Sequence, residues 1–264
     1  MLLSIVIVEY KSTQEIYRCV NALKEKISFP FEVIVSSNSL YDRQTQKSIR
    51  KSCRDVRWVF NEENGGFAYA MNRGLAHARG DYLVIMNSDC LLKSDLMPML
   101  RFMEANAAVG AIAPQIRDAE GNIQDTARPY VTPLRFIRRS IHQRLSHTSC
   151  VMERSMDYSK TQTVDWVIGA FIMVSRKAYE LTRGLDEKYF MYAEDVDWCT
   201  RIRTKGMEVV YYPNVLIEYK GTRRARNSWK YSRIFIKSHL RYWRKFGFFH
   251  GYPKRRNIRL SHEN

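Results

Sequence analysis

The chain has 264 residues, of which 45% are hydrophobic and 12% aromatic, and it carries a formal net charge of +16. These proportions allow a sizeable core and exclude a low-complexity chain. No run reaches the roughly 18 apolar residues of a membrane span, and the apolar N-terminus lacks the basic region and cleavage site of a signal peptide. We therefore expect a cytoplasmic protein. The five cysteines agree, because their odd number and wide spacing argue against disulfides or a zinc site.

The first third of the chain alternates between strand patterns and helix patterns. Short apolar runs predict strands at 2–8, 31–35, 56–60 and 81–86, and apolar or small residues at helical spacing predict helices at 16–23 and 66–79. This alternation is typical of an α/β fold with a mostly parallel sheet. In such sheets, ligands bind beyond the carboxyl ends of the strands. Polar clusters around Glu9, Asn38 and Asp89 follow three of these strands, so the sequence predicts a nucleotide-type pocket there.

The rest of the chain is less regular. Residues 118–160 are polar, with prolines and a basic stretch, and predict a long loop or short helices over the active site. The later patterns predict strands at 164–174, 207–211 and 215–217, and helices at 178–183 and 194–205. Gly206 stands where a helix C-cap is expected.

Asn87, Ser88 and Asp89 directly follow the fourth predicted strand. A carboxylate at a strand end can hold Mg²⁺ or Mn²⁺, which often takes only one or two protein ligands and completes its shell with phosphate and water. The alternative is an ordinary strand-end turn, since all three residue types favour turns.

Three carboxylates, Glu194, Asp195 and Asp197, lie within four residues behind an aromatic run. Like charges this close raise one another's pKa, which suits a general base. The alternative is an acidic first turn of a helix, which the helix dipole favours.

A series of further segments gives the chain its resemblance to a known family. They are 4–8, 31–35, 64–68 with 72–74, 78–82 leading into 86–89, 164–166 with 169–170, and 184–197. In this order and spacing they resemble glycosyltransferase family 2, in particular its bacterial rhamnosyltransferase-like branch. The resemblance covers about residues 2–222.

The resemblance implies a GT-A fold, in which a Rossmann-like, mostly parallel nucleotide-binding sheet is fused to an acceptor-binding half, over residues 1–222. It implies an inverting transfer of a sugar, with dTDP-rhamnose as the first donor to test, to a hydroxyl of a glycan or lipid-linked glycan in surface polysaccharide biosynthesis. Asp195 is then the catalytic base, with Glu194 as the second choice. Asp89 is the remaining carboxylate of an Asp-x-Asp-like motif for Mn²⁺ or Mg²⁺.

The same resemblance assigns the binding residues. Those for the donor are Glu9, Ser37, Asn38, Asn64, Gly66, Asn72, Asn87, Ser88 and Asp89. Those for the acceptor are Trp166, Gly169 and Ala170. The chain departs from the family pattern at Ser37, where an Asp is usual, and at Glu9 and Lys11, where an Asn-containing loop is usual. Glu218 replaces a frequent His, and we expect it to join Asp89 at the metal; Lys220, Arg223 or Arg224 are the alternative for neutralising the diphosphate.

The end of the chain is strongly basic: 14 Lys and Arg and no Asp or Glu fall between Tyr219 and His262. Residues 223–264 predict a helical extension, with Trp229, Ile236, Leu240, Trp243 and Phe246 near helical spacing. A basic amphipathic helix of this kind suits an anionic membrane surface, here the inner face of the cell membrane. The alternatives are a helix packed on the catalytic domain and, less favoured because no motif accompanies it, a nucleic-acid-binding segment. A homodimer is the default assembly.

Two other functions compete with glycosyl transfer. A sugar nucleotidyltransferase shares an α/β nucleotide pocket but requires a Gly-rich phosphate loop after the first strand, which residues 9–13 lack. A degenerate family member would act only as a scaffold for a membrane or a partner protein, and Ser37 and Glu218 are the residues that motivate this alternative.

Overall fold

A nine-stranded sheet lies at the centre of the described part of the chain, which in this computed structural model comprises residues 2–145, 156–219, 229–248 and 252–253. The strands are β1 Leu3–Glu9, β2 Phe31–Ser37, β3 Val56–Phe60, β4 Tyr82–Asn87, β5 Cys90–Leu92, β6 Val109–Arg117, β7 Ala127–Arg128, β8 Gln162–Val164, β9 Trp166–Val167, β10 Phe171–Ser175 and β11 Glu208–Tyr219. The helices are α1 Thr13–Lys26, α2 Arg43–Ser52, α3 Phe67–Leu75, α4 Met97–Ala105, α5 Pro133–Leu145, α6 Arg176–Thr182, α7 Glu194–Thr204 and α8 Trp229–Phe246.

The sheet has the order β3-β2-β1-β4-β10-β6-β11-β5, with β8 also paired to β11. The pairs among β3, β2, β1 and β4 are parallel, as is the pair of β6 and β11. Strand β10 runs antiparallel between β4 and β6, and β5 and β8 run antiparallel to β11. Six of the nine strands therefore point the same way, which confirms the predicted α/β class with a mostly parallel sheet.

Both faces of the sheet are covered, which explains the continuous apolar runs in its central strands. Helix α1 buries Ile16, Cys19, Val20 and Leu23 on one face. Helix α3 packs on the other face through small residues. A Cβ at Gly74 would lie 2.3 Å from Val6 Cγ1, so glycine lets α3 approach β1 closely.

The three strand predictions in the second half are wrong in their extent. The predicted strand 164–174 is divided into β8, β9 and β10, because the chain bends at Asp165 and turns at Gly169 and Ala170. Asp165 accepts a hydrogen bond from the Tyr130 backbone N–H at 3.0 Å, which holds that bend. Conversely, the two short strands predicted at 207–211 and 215–217 form one strand, β11, with a register shift between Tyr212 and Leu216 around Pro213. Proline lacks the N–H that a regular ladder needs, so the interruption takes the form of a bulge.

The basic C-terminal helix α8 packs on the rest of the fold. Tyr242 and Trp243 are buried in the same apolar cluster as Trp198. The Trp243 indole N–H donates to the Val131 carbonyl at 2.6 Å, and the Tyr242 and Thr200 hydroxyls lie 2.9 Å apart. The predicted division between residues 222 and 223 lies outside the described residues, as do Lys220, Arg223 and Arg224.

Among the helices of the described residues, none is both long and apolar enough to cross a membrane.

Candidate active site

Glu9 lies at the carboxyl end of β1, next to Ser37 at the end of β2, and its side chain is the centre of a cluster of hydroxyl groups. Ser37 Oγ donates to Glu9 Oε2 at 2.5 Å, Ser39 Oγ donates at 2.8 Å, and the Tyr41 hydroxyl donates to Oε1 at 3.1 Å. The Ser12 backbone N–H adds a fourth bond at 2.8 Å. The carboxylate is fully buried, so these donors compensate its loss of water. Glu9 and Ser37, two of the positions that depart from the family pattern, are therefore in direct contact.

Next to this cluster, three asparagines join the ends of β2 and β3 to the start of α3. Asn38 Nδ2 donates to Asn64 Oδ1 at 3.2 Å and to the Gly66 carbonyl at 3.0 Å. Asn61 Nδ2 donates to Asn38 Oδ1 at 2.9 Å. Sequence reasoning missed Asn61, although it directly follows β3 and therefore stands at the same edge as Asn38.

The β4–β5 turn brings Asn87, Ser88 and Asp89 to the same edge, with Asn87 adjacent to β1. Ser88 Oγ lies 3.3 Å from Ser12 Oγ, and Asn87 Nδ2 donates to the Tyr219 hydroxyl at 3.2 Å. Burial and, second, the negative charge of Asp89 raise the pKa of Cys19 to about 12 and also raise the pKa of Tyr219. Asp89 is thus a negatively charged group next to buried side chains. Binding of a cation beside it would be electrostatically favourable.

Glu218 has a different environment from Asp89. Its Oε2 forms an ion pair with Lys93 Nζ at 2.7 Å. Glu218 is opposite Leu91 in the β11–β5 pair and Tyr219 is opposite Cys90, so the Glu218 and Tyr219 side chains point to opposite faces of the sheet. Within the described ranges, no group of three or more His, Cys, Asp or Glu is arranged to hold a metal. A cation at Asp89 would therefore take most of its ligands from a diphosphate and water, as Mg²⁺ often does, and the metal role of Glu218 stays a prediction.

Asp195 lies in the first turn of α7, and two backbone N–H groups fix its carboxylate. Oδ2 accepts from Gly169 N–H at 2.9 Å and Oδ1 accepts from Val196 N–H at 2.8 Å. Burial raises the pKa of Asp195, and these two hydrogen bonds and the Arg128 guanidinium oppose that rise. The result is a fixed carboxylate that binds a proton more tightly than an ordinary aspartate, which suits a general base.

The neighbouring carboxylates of Glu194 and Asp197 have different environments from that of Asp195. Glu194 is only 7% exposed, and its Oε2 has no hydrogen-bond partner among the described residues. Burial and, second, the charge of Asp195 raise the pKa of Glu194 well above its usual range. Asp197 is fully buried and pairs with Arg201 at 2.6 Å and with Lys245 at 2.6 Å. Asp197 is therefore a structural anion that holds α8 against α7.

A turn at Gly169 and Ala170 connects Asp195 to the strand edge. Gly169 holds Asp195, and the Ala170 carbonyl accepts from the Asn87 N–H at 2.9 Å. Trp166, in the strand before this turn, is 5% exposed, and its indole N–H donates to the Pro129 carbonyl at 2.8 Å. The structure thus brings two of the three predicted acceptor residues between the candidate base and the predicted donor edge, while Trp166 packs behind them.

The segment before α7 is held in a strained conformation. Tyr192 and Ala193 have φ angles of +70° and +67°, which non-glycine residues rarely adopt. The Phe190 carbonyl accepts from Phe67 N–H at 2.8 Å, at the start of α3. Asn72, also on α3, bonds the Leu185 backbone through both ends of its amide, at 2.8 and 2.9 Å. The Asn72 side chain therefore ties this segment to α3, and its role in donor binding stays a prediction.

Comparison with known proteins agrees with this arrangement. The family model "Glycosyl transferase family 2" matches residues 4–182. The chain is 26% identical over 231 residues to an N-acetylglucosaminyl-diphospho-decaprenol L-rhamnosyltransferase of Mycobacterium tuberculosis, covering 80% of this chain and 74% of the relative. It is 27% identical over 157 residues to the rhamnosyltransferase WbbL of Escherichia coli, covering 56% of this chain and 58% of the relative.

A solved structure shows the same fold. It is a mannosyltransferase from Pyrobaculum calidifontis in complex with GDP-Man and Mn²⁺, with a TM-score of 0.60 and 18% identity. The match covers 92% of this chain but 63% of that one, so the chain spans less than two thirds of that structure. Together with the strand order and the site, these matches confirm a GT-A fold. Because the family model covers more than half of the sequence, the chain belongs to glycosyl transferase family 2 and is a glycosyltransferase.

Proposed function

We propose that the enzyme transfers a sugar from a nucleotide-diphosphate donor to a hydroxyl of a glycan or lipid-linked glycan, with inversion at the anomeric carbon. The observation that carries this proposal is the position of Asp195. Two backbone N–H groups fix its carboxylate, its pKa is raised by burial, and the turn at Gly169 and Ala170 links it to the strand edge that holds Asn87.

The proposed reaction is a single displacement. Asp195 accepts the proton of the acceptor hydroxyl while the acceptor oxygen forms a bond to the anomeric carbon. The bond between that carbon and the diphosphate oxygen breaks on the opposite face, and its electron pair leaves with the nucleotide diphosphate. One displacement inverts the anomeric configuration, and Asp195 afterwards loses its proton to water. A raised pKa makes Asp195 a stronger base than an ordinary aspartate.

For the donor, we propose that Glu9 takes the place of the carboxylate that the family usually has at the Ser37 position. Ser37 Oγ and Glu9 Oε2 are 2.5 Å apart, so a carboxylate from β1 lies beside the end of β2. Such a group can accept hydrogen bonds from a ribose or a base. Asn38, Asn64 and Gly66 extend this edge.

A divalent cation, Mn²⁺ or Mg²⁺, is part of the proposal. Asp89 would hold it, since it is a carboxylate among oxygen-bearing side chains at a strand end, and hard cations prefer oxygen ligands. When bound, the ion supplies positive charge that stabilises a diphosphate leaving group. The complex of the Pyrobaculum mannosyltransferase with Mn²⁺ supports this part of the proposal.

The names of the relatives support the donor and acceptor classes that we propose. The mycobacterial relative is named as a rhamnosyltransferase acting on an N-acetylglucosaminyl-diphospho-decaprenol. We extend this to dTDP-rhamnose as the first donor to test and to a lipid-linked acceptor in surface polysaccharide biosynthesis. The basic helix α8 fits a peripheral position on the anionic inner face of the cell membrane. A homodimer stays a prediction.

The test is a screen of nucleotide sugars by thermal shift and by release of nucleotide diphosphate, with and without Mn²⁺ or Mg²⁺. We expect one donor to stabilise the protein and to be hydrolysed slowly in the presence of metal. The anomeric configuration of the transfer product, measured by NMR, then tests inversion. Lack of response to every donor would overturn the proposal in favour of the scaffold alternative. Release of pyrophosphate from a nucleoside triphosphate and a sugar phosphate would overturn it in favour of a nucleotidyltransferase.

A further inference from the structure

A basic pocket of about 520 Å³ lies between α8 and the segment that follows α6. Five cationic side chains line it: Lys188, Lys237, Arg241, Arg244 and Lys245. Asp186 and Leu240 complete the lining. The predicted donor, acceptor and metal residues do not line it, so the pocket is separate from the site described above.

Most of the positive charge in this pocket is not neutralised. Lys245 is paired with Asp186 at 2.8 Å and with the buried Asp197 at 2.6 Å. Lys188, Lys237 and Arg244 have no acidic partner among the residues that the structure describes. Arg241 lies over the Tyr189 ring, 6.0 Å from its centroid. Several like charges around one cavity repel one another, and an anion bound between them would relieve that repulsion.

Arginine and lysine together suit a phosphate group, because the guanidinium donates in a bidentate manner and the ammonium acts as a point charge. Apolar side chains near the pocket then distinguish a lipid from a soluble phosphate. Leu240 in the pocket, Ile236 and Trp229 are 37%, 51% and 80% exposed, and their spacing of four and seven residues places them on one side of α8. A soluble phosphate would make no use of these side chains, whereas the boundary between lipid headgroups and acyl chains would cover them.

Helix α5, which packs on α8, exposes a second set of apolar side chains. Phe136 of α5 stacks on Phe235 of α8 with ring centroids 5.5 Å apart. On the other side of α5, Leu134, Ile137 and Ile141 are 70%, 54% and 52% exposed. Two neighbouring helices thus combine exposed apolar groups with uncompensated cations, and like charges on this surface disfavour pairing with a second copy.

We propose that the pocket lined by Lys188, Lys237, Arg241 and Arg244 binds the phosphate of an anionic phospholipid, and that the exposed apolar side chains of α8 and α5 enter the headgroup region. Phosphate binding by this pocket does not depend on the proposed function. The role of the pocket in presenting a lipid-linked acceptor to Asp195 does rest on that function. Ser238 of α8 donates to the Met191 carbonyl at 2.8 Å, so the lipid-binding helix directly supports the segment before Asp195.

The experiment is flotation of the full chain with vesicles of phosphatidylglycerol and phosphatidylcholine, compared with vesicles of phosphatidylcholine alone. The pocket variant is Lys237→Glu/Arg244→Glu. The control is Lys47→Glu/Arg101→Glu, which changes the charge by the same amount on α2 and α4. Because each cation near an anionic surface is worth about 1 kcal/mol, we expect the pocket variant to bind the anionic vesicles at least about tenfold more weakly, and the control to bind like the unmodified chain. Equal binding by both variants, or equal binding of the unmodified chain to both vesicle types, would overturn the proposal.

A second arm separates the two sources of phosphate. Glycerol phosphate and inorganic phosphate are titrated calorimetrically into the unmodified chain and into Leu134→Gln/Ile137→Gln/Ile141→Gln. We expect both proteins to bind soluble phosphate weakly, and only the α5 variant to lose binding to vesicles. If the α5 variant bound vesicles as well as the unmodified chain does, soluble phosphate would be the ligand and the lipid assignment would be overturned. Donor hydrolysis in solution is measured on the same samples. Its absence from the unmodified chain would count against the proposed enzyme and leave the vesicle result intact.

Discussion

Glu194, Asp195 and Asp197 show how three carboxylates within one helical turn acquire different properties. Asp197 is neutralised by Arg201 and Lys245, whereas Glu194 is buried with one oxygen unpartnered among the described residues. Asp195 alone combines fixed geometry with a raised pKa and a link to the donor edge. The environment, and not the residue type, therefore favours Asp195 as the proposed base.

Replacing Asp195 with Asn should remove most transfer activity without unfolding the protein. The base acts mainly in the transition state, so we expect kcat to fall by about 10²–10⁴-fold and the donor dissociation constant to change only a few fold. Asp197→Asn is the matched control, and it should lower the melting temperature instead, because it weakens the pairs with Arg201 and Lys245. Activity retained in Asp195→Asn would contradict the assignment.

Glu194→Gln should stabilise the protein increasingly as the pH rises. The pKa of Glu194 is raised in the folded state, so its contribution to stability is present below the ordinary glutamate pKa and is lost as the pH increases through the raised value. Glutamine never ionises and avoids this loss. We expect the melting temperatures of variant and unmodified protein to be similar near pH 4 and to diverge towards pH 8, with the exposed Glu120→Gln as control. A difference that does not depend on pH would contradict this explanation.

For individual residues, the sequence predicted which side chains lie at the strand ends better than it predicted which side chains contact one another. Strand-end polar residues such as Glu9 and Asp89 follow from the alternation of strands and helices, because parallel strands end at a common edge. The pairing of Glu218 with Lys93 was not predictable, since it depends on β5 lying antiparallel to the end of β11. Nor was the contact between Ser37 and Glu9, which requires the register of β1 and β2.

Among the structural elements, the segment at 189–193 depends on its contact with the start of α3. Gly66 has φ = +94°, and a Cβ there would lie 2.2 Å from the Phe190 carbonyl oxygen. The backbone of this glycine therefore sets the position of the segment that leads to Ala193 and Asp195.

Gly66→Ala should consequently reduce both stability and activity. The unfavourable backbone conformation alone costs about 1–3 kcal/mol, and the clash displaces the segment before Asp195. Gly121→Ala is a suitable control, because Gly121 also has positive φ, +86°, but a Cβ there would meet nothing within 4 Å. We expect both variants to unfold at a lower urea concentration and a lower temperature than the unmodified protein. Only Gly66→Ala should have a reduced kcat. Equal kcat in the two variants would show that this contact does not position the base.

The packing of helix α8 leads to a second prediction about a structural element. Lys245→Met should destabilise the protein by about 1–3 kcal/mol, since it removes one of the two cations that pair with the buried Asp197. Lys230→Met, on the exposed side of the same helix, is the control and should have little effect. The measurement is urea unfolding of both variants, and equal midpoints would contradict the structural role of the pair. Removal of the whole helix at Trp229 should also compromise folding, because Tyr242 and Trp243 belong to the core.

The elements themselves show where sequence patterns succeed. The strands of the parallel half were predicted to within two residues at either end, because they are buried on both faces and their apolar runs are continuous. The segment 164–174 has the same apolar character but is divided at Asp165, whose side chain accepts from the Tyr130 N–H, and at Gly169, where the turn donates to the Asp195 carboxylate. That carboxylate comes from a helix more than twenty residues away, and local patterns carry no information about it.

At the scale of the whole molecule, the net charge of +16 bears on how the proposed anionic donor would reach the enzyme. Most of the excess lies in the last part of the chain, and helix α8, which carries six of the Lys and Arg residues of that part, packs against the domain that contains Asp195. An extended field of one sign increases the rate of encounter with oppositely charged ligands and is screened by salt. A nucleotide-diphosphate sugar is such a ligand.

We therefore expect kcat/KM for the donor to fall as ionic strength rises, with little change in kcat. Between about 0.01 M and 0.15 M salt the Debye length shortens from about 30 Å to about 8 Å, so long-range attraction is lost while contacts within the site persist. The measurement is steady-state kinetics at fixed metal concentration over this range, with saturating acceptor. Lys237→Glu/Arg244→Glu should show a shallower dependence, because it removes charge outside the active site. If kcat and kcat/KM fell in parallel, salt would be acting on the chemical step, and attraction at a distance would not explain the effect.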